Sequence, residues 1–254
     1  MATGKHLNTA RTHKIPLGLK AERHHNIITS NPSSANPKET LYVRIPRLKE
    51  DTFFVPGTFC LTADVSLSGD PKNYVVNNLC RNLISKLTVK WGATNILEID
   101  HYDLYSTYKD LWLTTEERDD KIFEGIQSET MRKLRSGVDV VGASNNDKQL
   151  KEVFDKKYMI PLDFELMSTH APFYKFPIQE DVIFEITLAP KENIIVSENV
   201  ASMNYKLENI CMEYETVTDP TLASQLTANY NAGFSIFYDW LITLKLSLLL
   251  LTIH

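Results

Sequence analysis

From Glu39 onward, apolar and polar positions alternate in short runs broken by proline and glycine, the pattern of antiparallel sheets that bury one face. Leu41-Tyr42-Val43-Arg44-Ile45 alternates until Pro46 stops it; Phe53-Phe54-Val55 follows, and Pro56-Gly57 marks a turn. Residues 59–67 give the clearest strand: Phe59, Leu61, Ala63, Val65 and Leu67 share one face, and Cys60, Thr62, Asp64 and Ser66 the other. Gly69-Asp70-Pro71 closes that strand and leads to Tyr74-Val75-Val76. Residues 79–84 are too few to separate helix from strand. Leu87, Val89 and Trp91 then alternate with Thr88 and Lys90, and Gly92-Ala93-Thr94-Asn95 predicts a hairpin loop of about four residues before Ile96-Leu97-Glu98-Ile99.

The period changes after residue 101. Tyr102, Tyr105, Tyr108 and Trp112 recur at spacings of three and four, with Leu104 and Leu111 nearby, which predicts a helix with one aromatic stripe. Burial or a subunit contact is the expected use of that stripe, ahead of a stacking surface for sugars or bases. Thr114-Thr115-Glu116-Glu117 has the hydroxyl and the acids that begin a second helix. A third is predicted over 147–157, after a loop holding Gly137 and Gly142. Strands resume at Ile160, where Leu162, Phe164 and Leu166 alternate with Asp163, Glu165 and Met167. Pro172 and Pro177 bound an edge-type extended segment. Val182, Phe184, Ile186 and Leu188 form the inner face of another strand, and Ile194-Ile195-Val196 and residues 203–217 complete the series. The total of about eight to ten strands suffices for one all-β, antiparallel jelly-roll sandwich with short helical insertions. Leu61, Val65, Leu87, Val89, Phe184 and Ile186 are its expected core.

Both ends depart from this pattern. Residues 1–37 hold four of the seven histidines and little apolar material, and are expected to be a disordered arm. The arm is basic, with Lys5, Arg11, Lys14, Lys20 and Arg23 against Glu22. His24-His25 reads as part of a solvated polar segment and not as a metal site, because no acid or thiol is preorganised beside it. At the other end, residues 234–253 are strongly apolar and include Leu248-Leu249-Leu250-Leu251. Asp239 and Lys245 fall inside that window and weigh against a membrane anchor.

Composition adds constraints without naming a function. A net charge of −5 gives no overall attraction to nucleic acid. The three cysteines, Cys60, Cys80 and Cys211, are widely spaced, with neither a zinc pattern nor a disulfide framework, and free thiols in a reducing compartment are expected. No sequon or signal core points to secretion. The nine glycines form no phosphate-cradling loop, and no G-x-S-x-G, H-E-x-x-H or G-K-S/T sequence occurs. Only His101 and His170 lie within the expected sandwich. Asp100-His101-Tyr102-Asp103 places acids beside a histidine, but successive strand residues face opposite ways. Glu116, Glu117, Asp119 and Asp120 read as a solvated helix face ahead of a cation site. No catalytic, cofactor-binding or metal-ligating residue is assigned, no cofactor is expected, and the chain is not expected to be an enzyme.

Within this framework stand Asn77-Asn78, Arg81, Lys86-Leu87-Thr88-Val89-Lys90, residues 100–103, Tyr108-Lys109-Asp110-Leu111-Trp112 and Gly125-Ile126. A second block runs from Ile160-Pro161-Leu162-Asp163-Phe164 to Leu188-Ala189-Pro190. In this order they resemble the major capsid proteins of Polinton/Maverick elements and adintoviruses, of the double jelly-roll lineage. The resemblance implies a capsid protein of the virion, made in host cytoplasm or nucleus, that self-associates as a homotrimer into pseudo-hexameric capsomers of an icosahedral shell. Its implied partners are neighbouring capsomers and a penton protein, with weak nucleic-acid or membrane contact through the basic arm. It divides the chain into the arm (1–37), an N-terminal jelly roll (38–218) and the start of a linker or second jelly roll ending in an atypical Leu-rich tail (219–254). Because the family carries two jelly rolls per subunit, the chain reads as a truncated N-terminal half. On its own it is expected to aggregate, and to form trimers once an in-frame second jelly roll is restored. The alternatives are a domesticated single jelly-roll binding module and a tail-anchored membrane protein.

Overall fold

A computed structural model of the chain describes residues 22–68, 74–75, 79–114, 116–117, 121, 124, 156–162, 181–196 and 200–224. Its strands are β1 (Glu22–Thr29), β2 (Thr40–Ile45), β3 (Thr52–Phe54), β4 (Cys60–Ser68), β5 (Tyr74–Val75), β6 (Ile84–Trp91), β7 (Thr94–Asp100), β8 (Lys156–Pro161), β9 (Val182–Leu188), β10 (Ile195–Val196) and β11 (Asn204–Thr218). Two helices, α1 (Leu79–Asn82) and α2 (Tyr102–Asp110), flank the β6–β7 hairpin.

One sheet has the order β1-β11-β4-β8, with β3 also on β11; the other has the order β2-β9-β6-β7, and β5 pairs with β10. With the short β3, β5 and β10 set aside, the first long strand pairs with the last, the second with the next to last, and so inward to β6 with β7. Alternate pairs fall into opposite sheets. A long antiparallel ribbon rolled in this way is a jelly roll.

Side-chain alternation decides which face of each strand turns inward. Val182, Phe184, Ile186 and Leu188 of β9 are buried, as are Leu41, Val43 and Ile45 of β2 and Leu61, Ala63, Val65 and Leu67 of β4. With Leu87 and Val89 of β6, all six expected core residues are buried in one cluster. Phe59 stacks on Tyr214 of β11 in its own sheet, ring centroids 5.3 Å apart, and across the sandwich on Phe184 of β9 at 6.0 Å. Phe54 closes the cluster against both Phe59 and Tyr214.

The fifteen-residue β11 cannot keep strict alternation over its whole length, because its apolar positions shift phase between Leu207 and Ile210. A bulge between Glu208 and Cys211 absorbs the shift. Asn209 takes the left-handed conformation there, φ 52°, and donates through Nδ2 to Asp64 Oδ2 at 2.7 Å.

Several expectations are corrected. Residues 22–37 are not part of a disordered arm: β1 pairs with β11 along its full length, and the segment behind it is tied down by Ala35 N–H donating to the Leu207 carbonyl at 2.9 Å. An edge strand with a solvated outer face needs little apolar content, so its composition reads as unstructured. The sandwich therefore already includes Glu22–Thr29 and does not start at residue 38, while residues 1–21 lie outside the described residues. The expected four-residue loop after Trp91 is a two-residue turn, Gly92-Ala93, because Thr94 and Asn95 join the ladder opposite Trp91 and Lys90. The helix expected over 147–157 does not reach its end, since Lys156 and Lys157 already belong to β8 opposite Val65 and Asp64. Residues 79–84 divide, with α1 first and β6 starting at Ile84. Phe164, Leu166, His170, the 172–177 segment and the apolar 234–253 stretch lie outside the described residues.

Phe184, fully buried at the aromatic junction of the two sheets, gives the direct check on this packing. Phe184→Ala is expected to lower unfolding free energy by about 3–5 kcal/mol, read as a fall in the urea midpoint. Ile27→Ala, at a solvent-facing position on β1, is expected to shift it by no more than about 0.5 kcal/mol.

Candidate interaction surface

The two helices meet at one corner of the sandwich through buried charge. Arg81 of α1 donates through Nε to both carboxylate oxygens of Asp110 at 3.2 Å and through Nη2 to Glu124 Oε2 at 2.7 Å. Lys121 adds a second cation, with Nζ 3.1 Å from Glu124 Oε1. Side-chain exposure is only 8% for Arg81 and 3% for Asp110. Charges this dry persist only when paired and hydrogen-bonded.

The two partners of the central pair are unequal. Burial opposes the Arg81 charge, yet Glu124 and Asp110 together outweigh it, and the guanidinium holds its proton more firmly than usual. Asp110 goes the other way. Burial outweighs its attraction to an arginine already shared with Glu124, so its carboxyl titrates above the ordinary aspartate range.

That corner sets the orientation of α2. Tyr102, Ser106 and Asp110, four residues apart, form the buried face of the helix. Tyr102 hydroxyl donates to the Pro161 carbonyl of β8 at 3.4 Å, and Thr107 hydroxyl to Asn82 Oδ1 at 3.3 Å. Two of the three buried residues are thus polar, while Leu104, Tyr108, Leu111 and Trp112 stand 60–75% exposed on the outside. This reverses the usual amphipathic arrangement, in which the apolar stripe faces the core. Contiguous exposed apolar side chains of this kind mark contact surfaces. Tyr108 and Trp112 meet edge to face at 6.3 Å, and Lys109 Nζ sits 4.8 Å from the Tyr105 ring centroid. Directly beyond, Thr114 and Glu117 form a capping box: Glu117 N–H donates to Thr114 Oγ1 at 3.3 Å, and Thr114 N–H to Glu117 Oε2 at 2.8 Å.

The aromatic stripe read from the sequence is therefore split. Tyr102 belongs to the core, Tyr105 packs against it half-buried, and Tyr108 and Trp112 face outward. His101 is not a strand residue as expected. It occupies the left-handed junction between β7 and α2, φ 59°, and Asp100 beside it pairs with Lys86 at 2.9 Å. Of the four clustered acids, Glu117 serves the capping box, Glu116 is exposed, and Asp119 and Asp120 lie outside the described residues. His25 of β1 lies 3.3 Å from Glu213, and His24 lies 3.8 Å from Glu22. Cys60, Cys80 and Cys211 are unbridged. Burial pushes the Cys60 thiol up to about 11 and the Cys80 thiol well above its ordinary value, so neither is poised to react. No helix among the described residues is long and apolar enough to cross a membrane.

The Arg81 network was not foreseen as a unit. Its one local signal is a lone arginine within Leu79-Cys80-Arg81-Asn82-Leu83-Ile84, a run otherwise suited to burial. Its acids lie 29 and 43 residues away along the chain, a distance that no periodicity bridges.

No protein-family model and no curated protein matches the chain. Solved structures do. The quasi-atomic model of the PBCV-1 virus capsid superposes with a TM-score of 0.52 and 15% sequence identity, covering 82% of this chain and 45% of that chain. A PBCV-1 protein fitted into a cryo-EM reconstruction of the virophage Sputnik gives a TM-score of 0.48 and 14% identity, over 81% and 45% of the two chains. The second likeness carries no weight here, and the first establishes the jelly-roll fold. The chain spans less than half the length of the chains it matches.

Removing Arg81 strands two carboxylates in a dry corner. Arg81→Ala is expected to lower stability by about 3–5 kcal/mol. Asp110→Asn tests the raised carboxyl. The folded chain binds this proton more tightly than the unfolded chain does, so wild type should gain stability relative to the variant as pH falls from neutral through the raised folded pKa toward about 3.9. Paired urea titrations across that window check the sign.

Proposed function

We propose that this chain is a non-enzymatic structural protein of the viral capsid type, which works by shape and by association with copies of itself. The observation that carries the reading is the rolled two-sheet sandwich, which superposes over 82% of the chain on a PBCV-1 virus capsid structure. The exposed apolar stripe of α2 supports it, because such a surface suits contact with another protein better than small-molecule chemistry. Within this reading the double jelly-roll lineage of Polinton/Maverick elements and adintoviruses is the nearest fit, on the residues from Asn77 to Pro190 named above. The sandwich from Glu22 to Thr218 then serves as one of two jelly rolls in a subunit, residues 219–254 lead toward the other, and three subunits form a capsomer. Such capsomers meet one another and a penton protein in a virion assembled in host cytoplasm or nucleus. Multivalent contacts hold the shell, each of modest strength.

Sedimentation velocity with negative-stain microscopy tests this reading. The expected outcome is concentration-dependent association of the chain, ordered as trimers when an in-frame second jelly roll is fused to it. A monodisperse monomer that binds carbohydrate, or carbonate-resistant pelleting with membranes, would replace the shell reading with a binding module or an anchored protein. The arm makes a separate prediction. Residues 1–21 carry Lys5, Arg11, Lys14 and Lys20 and no acid. Any binding of duplex DNA should therefore lack sequence preference, fall with salt on a log–log slope no steeper than about −3.6, and vanish when residues 1–21 are deleted.

A further inference from the structure

The N-terminal edge of the sandwich has two parts that are held very differently. Residues 30–36 are the tighter part and touch both sheets. Ser30 N–H donates to the Ile210 carbonyl of β11, and Ile210 N–H to the Ser33 carbonyl, each at 3.0 Å. Ala35 and Leu207 bond each other through both backbone groups at 2.9 Å. Asn31 does the same with Tyr42 of β2, at 2.8 and 2.9 Å, so this short stretch ties β11 of one sheet to β2 of the other. Ser30 and Ala35 are buried. β1 is the looser part. None of its eight residues is buried, Ile28 is its one apolar side chain packed against the core, and β11 is its one sheet neighbour among the described strands. Beyond the ladder, three side-chain contacts hold it: Arg23 with Glu215 at the surface, His25 beside Glu213, and Asn26 Nδ2 donating to Thr216 Oγ1 at 3.0 Å.

We infer that β1 is a releasable strap: residues 22–29 peel from β11 as a unit while residues 30–36 stay in place and keep the core sealed. A strand with few buried contacts and a solvated ladder belongs to the low-stability end of a fold, and it opens without global unfolding. Release moves the point of attachment from Glu22 to Ser30. The eight freed residues then extend the reach of the basic segment 1–21 by up to about 28 Å. The strap thus sets how far those cations can travel from the sandwich. Nothing in this inference depends on the shell reading, and its failure would leave that reading in place.

Hydrogen exchange of the full chain, read amide by amide by NMR, tests it, because the two sides of β11 report separately. The Ser30–Ile210 bond fixes which pairs of the antiparallel ladder are hydrogen-bonded. Stepping by two along the register, the amides of His24, Asn26 and Ile28 point to β11, and those of Met212, Tyr214 and Thr216 point back to β1. Cys211 and Glu213 point the other way, to Thr62 and Cys60 of β4. The six strap amides are expected to exchange together, at least about tenfold faster than those of Cys211, Glu213, Ser30 and Ala35. Ile186→Val, a mild core change in the other sheet, should speed those four by about three- to tenfold and leave the six unchanged, since strap opening keeps the core intact. Three results overturn the inference: one common rate for all ten amides, Ser30 and Ala35 exchanging with the six, or the six accelerating with the four in Ile186→Val. The wild-type comparison decides by itself if that variant folds poorly.

Discussion

The pairing of β11 with three other strands is the constraint on which the sandwich depends. Its fifteen residues hold β1 along one side and β4 and then β3 along the other. Its inner face supplies Tyr205, Leu207, Ile210, Met212 and Tyr214 to the core. A strand this long twists, and its apolar face stays inward only because the bulge at Asn209 resets the alternation midway. The same strand joins the sheets by side chains: Tyr214 stacks within its own sheet on Phe59, which meets Phe184 of the other, and Tyr205 donates from its hydroxyl to the Ala189 carbonyl at 2.6 Å just after β9. Burial raises the pKa of that hydroxyl, which keeps it a donor throughout the neutral range.

The α1–α2 corner shows a different balance of forces. A helix placed on hydrophobic grounds would turn Leu104, Tyr108 and Leu111 inward, each contributing about 1.5–3 kcal/mol of burial. Instead Asp110 and Ser106 are buried and the apolar residues face water. Arg81 accounts for this, because a guanidinium fixed in the α1 turn must have carboxylates within hydrogen-bond reach and draws Asp110 toward it. A buried ion pair is a poor source of net stability compared with apolar packing of the same volume, but it is specific in geometry. The corner therefore gives up apolar burial and presents Tyr108 and Trp112 outward.

The outer faces of both sheets are laced with exposed or half-exposed ion pairs, such as Lys90–Glu185 and Lys86–Glu98 on one and Arg23–Glu215 on the other. Such pairs contribute little to stability but keep a broad surface soluble and specific. Among the described residues, the exposed large apolar side chains are Ile27, Tyr42 and Met159 on the strands and Leu104, Tyr108, Leu111 and Trp112 in and just beyond α2.

What the amino-acid sequence determined by itself was the sandwich: short alternating runs, prolines and glycines at their ends, and the inward faces of residues 41–45, 59–67 and 182–188. Two-residue periodicity is a local property, and burial of one face follows from it wherever the strands pair. Tertiary structure alone decided the rest. β1 has too little apolar content to announce itself and is ordered by a partner strand nearly two hundred residues away, as the Arg23–Glu215 pair marks. The α2 stripe has the spacing of a core helix, and no local rule distinguishes a stripe that faces in from one that faces out. Only the position of Arg81, brought to Asp110 and Glu124 by the roll of the sheets, settles that choice, because charge pairing across a fold depends on distance in space and not on distance along the chain.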